Sequence, residues 1–477
     1  MIKLITYTEL INKKIISNAK IIDSTIIKDL IKKHNTTQMI AGHNYYHNEN
    51  DILKRKRYYY KDGEKLEDTT KENHKIPHNW HKMLVDQKVS YLVGKPISFS
   101  TNNQTEYEDR INLILGEVWD DTLTELAKNS SNKGTEWLHT YINEEGKFKF
   151  IIIPAEEVIP IYDTSLQENL EAILRYYLVE VNGQERIRVE WWTRDTVTYY
   201  IETETGVFEL DDTEKKNPDS HFYYNDKGYG WGKVPFIEFP NNQERYSDLK
   251  YYKELIDEYD LNISDLANNL AELQELIMVL KGYEGTDLAE FTENIRFYKT
   301  IQTSGEEGSG VDKLELNIPV EAKKEMTDRL EENIFLFGQG VNMKTDKFGN
   351  SPSGVALKFL YSALDLKASI MERKFRKAIK RLLWFVTEYI NIIDNTNYNS
   401  TDVQVTFRKT MITNDLENVD IAQKSVGIIS DETIVSNHPW VEDVSGEIEK
   451  LKNQKEEEFN SFGKIDFQNE GEEVKNG

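Results

Sequence analysis

The feature that most constrains the fold is a regular apolar pattern between residues 249 and 280. Apolar or aromatic residues recur there at alternating spacings of three and four: Leu249, Tyr252, Ile256, Tyr259, Ile263, Leu266, Leu270, Leu273, Ile277 and Leu280. This heptad seam is typical of a helix that packs along another helix. At 1.5 Å per residue it predicts a rod of about 48 Å, which one short partner would not cover. We therefore expect the rod to lie against other helices, of this chain or of neighbouring subunits.

The sequence after the rod predicts a small module and a returning helix. Gly282 and Gly285 end the helical pattern, and residues 286–318 include the flexible sequence SGEEGSG. A second helix is predicted over Val320–Phe337, because Pro319 stands where proline favours a helix start. The chain is thus expected to leave along one helix and come back along another.

A glycine-rich loop and a very long helix follow. Residues 338–354 hold four glycines and a proline, which predict a loop over 338–353, and Ser353 fits the N-cap of the next helix. That helix is predicted from residue 354 to 393. Between 355 and 390 eight basic residues stand against three acidic ones. Contact with DNA and a solvated helical face both remain open as interpretations of this charge.

The N-terminal half predicts a mixture of helices and strands. Helical spacing occurs at residues 26–31, 82–92 and 113–126. Runs rich in β-branched and aromatic residues then predict an antiparallel meander: Glu136–Tyr141, Phe148–Ile153, Glu171–Val181, Arg186–Trp192, Thr196–Glu202 and Pro235–Phe239. A further strand is predicted at Val403–Arg408, with helical segments at 415–427, 431–437 and 441–453. The predicted fold class is α+β.

Composition excludes several classes of function. The chain of 477 residues contains no cysteine, which rules out disulfides, thiolate zinc sites and cysteine nucleophiles. No apolar run approaches the roughly 20 residues that span a bilayer, and the N-terminus lacks the pattern of a signal peptide, so we expect a soluble, intracellular protein. The net charge of −24 argues against a protein that grips duplex DNA by releasing many counterions.

Local motifs give no sign of catalysis, a cofactor or a metal. The sequence GYGWGK at 228–233 lacks the glycine spacing and the hydroxyl residue of a phosphate loop, and it predicts a turn before a strand. His74, His78 and His81 lie beside Pro77, so we expect surface histidines and no metal site. The acidic pairs at 120–121 and 156–157 are adjacent in sequence, and adjacent side chains do not converge.

One basic and aromatic stretch allows two interpretations. The sequence LKRKRYYYK at 53–61 combines cations with rings on which bases stack, as in proteins that bind single-stranded nucleic acid. A strand with one solvated face has the same composition. The sequence does not decide between them.

Three segments and the order of the helices together resemble a known family. The sequence IPHNWHKMLVDQKVSYLVGKPISF at 76–99 resembles the signature of the portal proteins of tailed phages of Gram-positive bacteria, the SPP1 type. VPFIEFPNN at 234–242 and KTDKFGNSPSGVALKFLYSALDLKA at 344–368 are similar to the strand before the stem and to the tunnel loop with its long helix. The order of long helix, small module and return helix agrees as well. The resemblance covers most of residues 76–393.

The resemblance implies an elongated subunit of a homododecameric ring with a wing, a stem, a clip and a crown. The chain would divide into an N-terminal segment 1–60, a wing 61–245, an outgoing stem helix 246–284, a clip 285–318, a return helix 319–337, a tunnel loop 338–353, a long wing helix and strand 354–410, a crown 411–460 and a disordered acidic tail 461–477. The ring would package and eject DNA. Its implied partners are terminase, a head-tail adaptor, scaffold and major capsid protein, and its place is the virion after assembly in the host cytoplasm.

Three groups of residues are candidate sites. The heptad seam predicts stem packing by Leu266, Leu270, Leu273 and Ile277. The projecting clip would dock terminase and then the adaptor near Glu306 and Glu307. The tunnel loop would touch DNA through Lys344 and Lys347, with Asn342 and Asn350 as neutral contacts, or its lysines would only be solvated.

Two other classes of function stay open at this point. One is another structural virion protein, a scaffold or a minor head protein, although scaffolds usually lack a β-rich block such as 135–240. The other is a nucleic-acid-processing enzyme, for which the sequence offers no catalytic pattern.

Overall fold

The computed structural model describes residues 21–69, 71–101, 104–163, 169–272, 277–281, 310–314, 319–342, 354–410, 415–436, 438, 440–441 and 444–465. The helices are α1 Ser24–Lys33, α2 Thr37–Tyr46, α3 Trp80–Val93, α4 Thr105–Leu115, α5 Val118–Lys133, α6 Lys253–Glu272, α7 Val320–Gly338, α8 Gly354–Asp394, α9 Asp415–Ser425, α10 Asp431–Ser436 and α11 Val444–Ile465. The strands are β1 Tyr58–Lys61, β2 Glu64–Glu67, β3 Ser98–Thr101, β4 Thr135–Ile142, β5 Phe148–Ile153, β6 Val158–Tyr162, β7 Leu170–Val181, β8 Gln184–Trp192, β9 Thr196–Glu202, β10 Phe208–Leu210, β11 Asp219–Ser220, β12 Phe222–Tyr224, β13 Lys227–Tyr229, β14 Phe236–Pro240, β15 Ile277–Lys281, β16 Gly310–Leu314 and β17 Val403–Thr406. This mixture confirms the predicted α+β class.

The chain forms two compact units. The larger unit comprises residues 1–341 and 363–410, and the smaller comprises 342–362 and 411–477. In the smaller unit α10 and α11 pack together, and Lys455 pairs with Asp431. Helix α11 continues to Ile465, so part of the segment predicted as a tail from residue 461 is helical.

The predicted meander is divided between two antiparallel sheets. One has the strand order β10-β9-β8-β7-β6, and the other has the order β14-β4-β5. A buried cluster joins the sheets and includes Trp137, Trp192 and Phe236. Helix α1 packs through Ile27 on the larger sheet. Strand β6 is absent from the prediction because it contains Pro160, which a strand tolerates at the edge of a sheet, where β6 lies.

The helical stretch predicted near 113–126 is two helices. Helix α4 ends at Leu115, and Gly116 follows with a φ of 60°. Glycine adopts this left-handed backbone at little cost, so the chain turns there before α5 begins.

The rod predicted over 249–280, and with it the stem helix 246–284, is wrong at both ends. A 3-10 turn occupies Asp248–Tyr251, and α6 runs only from Lys253 to Glu272. Ile277–Lys281 is a strand that pairs antiparallel with Gly310–Leu314. Because β-branched and apolar residues also suit a strand, the distant segment 310–314 completes a hydrogen-bonded ladder there. The module between the two helices therefore begins at Ile277.

Helix α6 has a buried polar stripe that the apolar pattern conceals. Asp260, Ser264 and Asn268 are fully buried, at 0 to 1% exposure. The Ser264 hydroxyl accepts from the backbone N–H of Ile76 at 3.0 Å, and the Asn268 side chain accepts from that of His74 at 2.7 Å. These residues recur every fourth position, so one face of α6 holds the extended segment before α3.

The remaining long elements agree with the sequence. Helices α7 and α8 match the predictions for 320–337 and 354–393 to within one residue. Strand β17, which follows α8, pairs antiparallel with β3, which follows α3. Helices α6 and α7 pack against each other, as expected of an outgoing and a returning helix.

Candidate functional site

Helix α3 is buried on most of its surface, although it carries charged side chains. Its buried residues are His81, Leu84, Val85, Lys88, Val89, Tyr91, Leu92 and Val93. A helix buried on several sides must be packed by several elements. Here α6, α7 and the turn before α6 share an apolar cluster with Leu84. The part of the segment 76–99 that forms α3 is therefore largely interior.

Lys88 forms the centre of a buried ionic junction, which we define as Lys88, Asn241, Asp248 and Lys367. The Lys88 ammonium donates to Asp248 Oδ2 at 2.6 Å and to Asn241 Oδ1 at 2.7 Å. The Asn241 amide in turn donates to Asp248 Oδ1 at 2.9 Å. The Lys88 and Asp248 side chains are 1% and 4% exposed, so the pair is removed from water. A buried pair of this kind is tolerated only when its remaining polar atoms are bonded.

Lys367 brings the long helix α8 to the same carboxylate. Its Nζ lies 3.1 Å from Asp248 Oδ2 and donates to the carbonyl oxygen of Gly338 at 2.9 Å. Gly338 ends α7, where unpaired carbonyls make a favourable site for a cation. The ionic junction thus links α3, the turn before α6, the end of α7 and α8.

The charges of the ionic junction shift the pKa values of its members. Burial lowers the pKa of Lys88 to about 8, and the positive charge of Lys367 acts in the same direction. Burial opposes ionisation of Asp248, but the ammonium groups of Lys367 and Lys88 outweigh burial and hold its pKa below the usual range. Burial also lowers the pKa of His81 to about 3, so its ring is neutral, and it hydrogen-bonds the Tyr252 hydroxyl at 2.8 Å.

Gln87 fixes the start of the predicted tunnel loop. Its side-chain amide donates to the carbonyl oxygen of Val341 at 3.0 Å and accepts from the N–H of the same residue at 2.9 Å. A Cβ atom on Gly340 would lie 2.2 Å from the buried Leu84 side chain, so glycine permits the close approach of the backbone to α3. Helix α3 therefore anchors the chain where α7 ends.

A second polar link joins α3 to α8. The Tyr91 hydroxyl donates to Asp365 at 2.9 Å, and Lys409 donates to the same carboxylate at 2.8 Å. Lys409 also lies 3.2 Å from Glu372. Two turns of α8, at 365–367 and 372, are thus attached to α3 and to the segment after β17. The arrangement offers mechanical connection and no nucleophile or acid–base pair.

The sequence-predicted site residues fall partly within the described chain. Leu266 is half-buried, and Leu270 is 51% exposed in this single subunit. Ile277 lies in β15 and not in a helix, which corrects its assignment to helical stem packing. Asn342 directly follows the anchored Val341. Leu273, Glu306, Glu307, Lys344, Lys347 and Asn350 lie outside the described residues.

The basic and aromatic stretch forms a small hairpin. Strands β1 and β2 pair antiparallel, and every residue of both is exposed. Lys56 pairs with Glu67 at 2.7 Å, and Lys65 lies 4.1 Å from the centroid of the Tyr58 ring. Its cations are thus partly matched within the hairpin, and both of its faces are solvated.

The histidines near Pro77 are not all on the surface. His81 is fully buried, and His78 hydrogen-bonds the buried carboxylate of Asp260 at 2.8 Å. The expectation of surface histidines is therefore wrong for these two, because Asp260 on the distant helix α6 binds His78, and Tyr252 just before that helix binds His81. Over the described ranges no three His, Asp or Glu residues group as metal ligands would, and no helix there is long and apolar enough to cross a membrane.

Sequence reasoning missed the ionic junction entirely. Its weak signal is a charged residue set among buried apolar neighbours: Lys88 within VDQKVSYLV, and Lys367 one position before the buried Ala368. Charged residues are almost never fully buried unless they are paired. The sequence does not identify the pairing partner, which lies 160 positions away for Lys88 and Asp248.

Comparisons with known proteins agree on one family. The family model described as "Phage portal protein, SPP1 Gp6-like" matches residues 27–460. The portal protein of Bacillus phage SPP1 is 39% identical over 469 residues, covering 96% of this chain and 92% of the relative. The portal protein of Clostridium phage phiCD119 is 35% identical over 435 residues, covering 87% and 91%. Among solved structures, the neck of an empty GTA particle, computed with C6 symmetry, aligns with a TM-score of 0.41 and 12% identity over 75% of this chain and 88% of that chain.

Proposed function

Because the chain belongs to the SPP1 Gp6-like family of phage portal proteins, we propose that twelve copies form a ring at one vertex of the capsid. The family is one of structural virion proteins that act as ring oligomers. The observation that carries the proposal is the uncovered end of the α6 seam, where Leu270 is 51% exposed. An apolar seam of this kind needs a neighbour, and a closed ring supplies one to every copy.

The test compares the same substitution at two leucines that differ in their exposure. Leu330 is 5% exposed inside the chain, so Leu330→Ala removes packing within the subunit. Leu270→Ala is expected to leave subunit stability within about 0.5 kcal/mol but to weaken assembly. Negative-stain micrographs and mass photometry give the fraction of rings. Full ring yield with Leu270→Ala would show that α6 does not contact a neighbour through this residue.

The clip, predicted over 285–318 and including strand β16, is proposed to dock the large terminase subunit and later the head-tail adaptor. Glu306 and Glu307 are the candidate contacts, since they lie in the glycine-rich sequence SGEEGSG of the expected clip. Deleting residues 304–310 is expected to spare the ring and to reduce terminase capture in a pull-down. Undiminished capture would move the docking site elsewhere.

The tunnel loop is proposed to touch DNA as it passes. Gln87 holds the chain at Val341 through two hydrogen bonds, so the residues that follow start from a fixed point. Twelve copies would place Lys344 and Lys347 in a ring of positive charge, with Asn342 and Asn350 as neutral contacts, while each contact stays weak in salt. Replacing both lysines by alanine is expected to slow packaging into proheads without preventing ring formation. Packaging at the normal rate would leave the lysines only solvated.

Assembly is proposed to occur in the host cytoplasm with scaffold and major capsid protein as partners. The ring itself is expected to hydrolyse no nucleotide, because transport is powered by the terminase. A phosphate-release assay on purified rings tests this, and turnover by the portal alone would contradict it. Assembly of proheads from scaffold and major capsid protein, with and without the portal gene, tests the contacts of the ring with these two proteins.

A further inference from the structure

A polar cavity lies between the end of β14 and the C-terminal half of α8. It has a volume of about 140 Å³, and its lining includes Tyr162, Glu238, Arg245, Lys374, Lys377 and Arg381. All of these belong to the larger unit. The cavity lining shares no residue with the ionic junction, although Pro240 and Asn242 flank the junction residue Asn241, and the function proposed above makes no use of the cavity.

The Glu238 carboxylate in this cavity already accepts hydrogen bonds from its neighbours. Arg245 donates to Glu238 through two nitrogens, with Nη2 3.0 Å from Oε2. The Tyr162 hydroxyl donates to the same Oε2 at 3.1 Å. Glu238 and Arg245 therefore neutralise each other, and the carboxylate cannot also compensate the cations on α8.

Three cations of α8 remain without a carboxylate partner. Lys374 donates to the amide oxygen of Gln243, and Lys377 and Arg381 are exposed. None of the three makes an ion pair within the part of the chain that the structure describes. Their spacings of three and four place them on one helical face, over about 10 Å of helix. Their charges are therefore available to a ligand.

The row of positive charge continues beyond the cavity. Lys233 lies 3.6 Å from the centroid of the Trp384 ring, one turn further along α8 than Arg381. Burial and the positive charge of Arg381 both lower the pKa of Lys233, which shows that the two cations are close. The charge of Glu388 acts in the opposite direction on Lys233 and partly offsets it. In a chain with a net charge of −24, the remaining positive charge of Lys374, Lys377 and Arg381 attracts anions locally.

We propose that this face of α8 binds consecutive phosphates of the backbone of double-stranded DNA. Each DNA strand rises roughly 3.4 Å per charge but also winds around the duplex axis, so about 10 Å of α8 faces about two successive phosphates. The duplex supplies this spacing whatever its sequence, whereas an acidic peptide must place its carboxylates to match. Backbone contacts carry no sequence information, which suits a protein that handles a whole genome. The inference rests on the proposed portal function.

The experiment compares two double variants with the same charge change. Lys377→Ala with Arg381→Ala removes two cations of the cavity at a spacing of four. Lys28→Ala with Lys32→Ala is the control, because these lysines have the same spacing on α1 and are also exposed. Binding of a short fluorescent duplex is measured by anisotropy over a series of salt concentrations, and rings are counted in micrographs of each protein.

We expect the cavity variant to bind the duplex at least about tenfold more weakly at low salt and to lower the salt slope by about two, while the control keeps wild-type values. Equal affinities of the two double variants, with rings intact, would overturn the DNA site and leave the portal function standing. Absence of rings in the wild type would instead contradict the portal function. If the double variant fails to fold, the single variant Lys377→Glu replaces it, and its duplex binding is compared with that of the control. Tight binding of poly-glutamate without binding of the duplex would identify a protein-docking surface and overturn the proposal.

Discussion

At the scale of single residues, Asp248 has the greatest influence, because its carboxylate faces two ammonium groups away from water. Asp248→Asn would leave Lys88 and Lys367 buried without a counter-charge. Breaking a buried pair in this way costs about 3–5 kcal/mol. We expect a loss of this size in the free energy of unfolding, measured by urea titration of the dissociated subunit.

The matched control is Asp394→Asn, which breaks a surface pair. Asp394 accepts from Arg110 at 2.7 Å, and both side chains are about one-third exposed. Such a pair contributes about 1 kcal/mol or less. Similar losses for the two variants would mean that water reaches the ionic junction.

His81 predicts a dependence of stability on acid. Burial lowers its pKa to about 3 from the ordinary 6.5, so the folded chain keeps the ring neutral. Above pH 6.5 the ring is neutral in both states, and below 6.5 only the unfolded chain takes up the proton. Stability therefore falls as pH decreases from 6.5 towards 3, by up to about 1.4 kcal/mol per pH unit from this residue. Unfolding titrations of His81→Gln should give a shallower acid slope than the wild type, and an identical slope would refute the assignment.

At the scale of elements, α3 acts as the support to which α6, α7 and α8 are attached. Gln87 is the contact that holds the chain after α7, through two hydrogen bonds to Val341. Gln87→Ala removes both and is expected to cost about 1–2 kcal/mol. The more specific expectation is faster hydrogen exchange at Val341, with α7 itself still protected.

Gln184→Ala provides the control for this measurement, since Gln184 is exposed at the start of β8. Exchange at Val341 should be unchanged in that variant. Unchanged exchange in Gln87→Ala as well would show that the apolar packing of Leu84 holds the loop without the amide.

At the scale of the whole molecule, the net charge governs assembly. Each chain carries −24, so identical subunits brought into a ring repel one another. The Debye length shortens from about 30 Å at 10 mM salt to about 8 Å at 150 mM, which screens this repulsion. We expect sedimentation velocity to show more ring and less subunit at the higher salt. A ring fraction that falls as salt rises would indicate instead that ion pairs between subunits dominate the interface.

The sequence by itself determined those features that depend on local periodicity. Apolar spacing predicted α7 and α8 to within one residue, and alternating β-branched residues predicted β5 and β9 with their observed bounds. The motif at 76–99 was enough to indicate the family. These signals are local because a helix or strand repeats its contacts every few residues.

Only the tertiary structure decided where the rod ends and where the buried charges lie. The seam continues through Ile277, but pairing with residues 310–314 converts that stretch into a strand. Lys88 and Asp248 meet although 160 positions separate them, and Lys367 reaches them from a third element. No local pattern encodes such a pair, because its energy comes from removing distant groups together from water. The sequence therefore specifies the elements, and their packing specifies the support that holds α6, α7 and α8 in place.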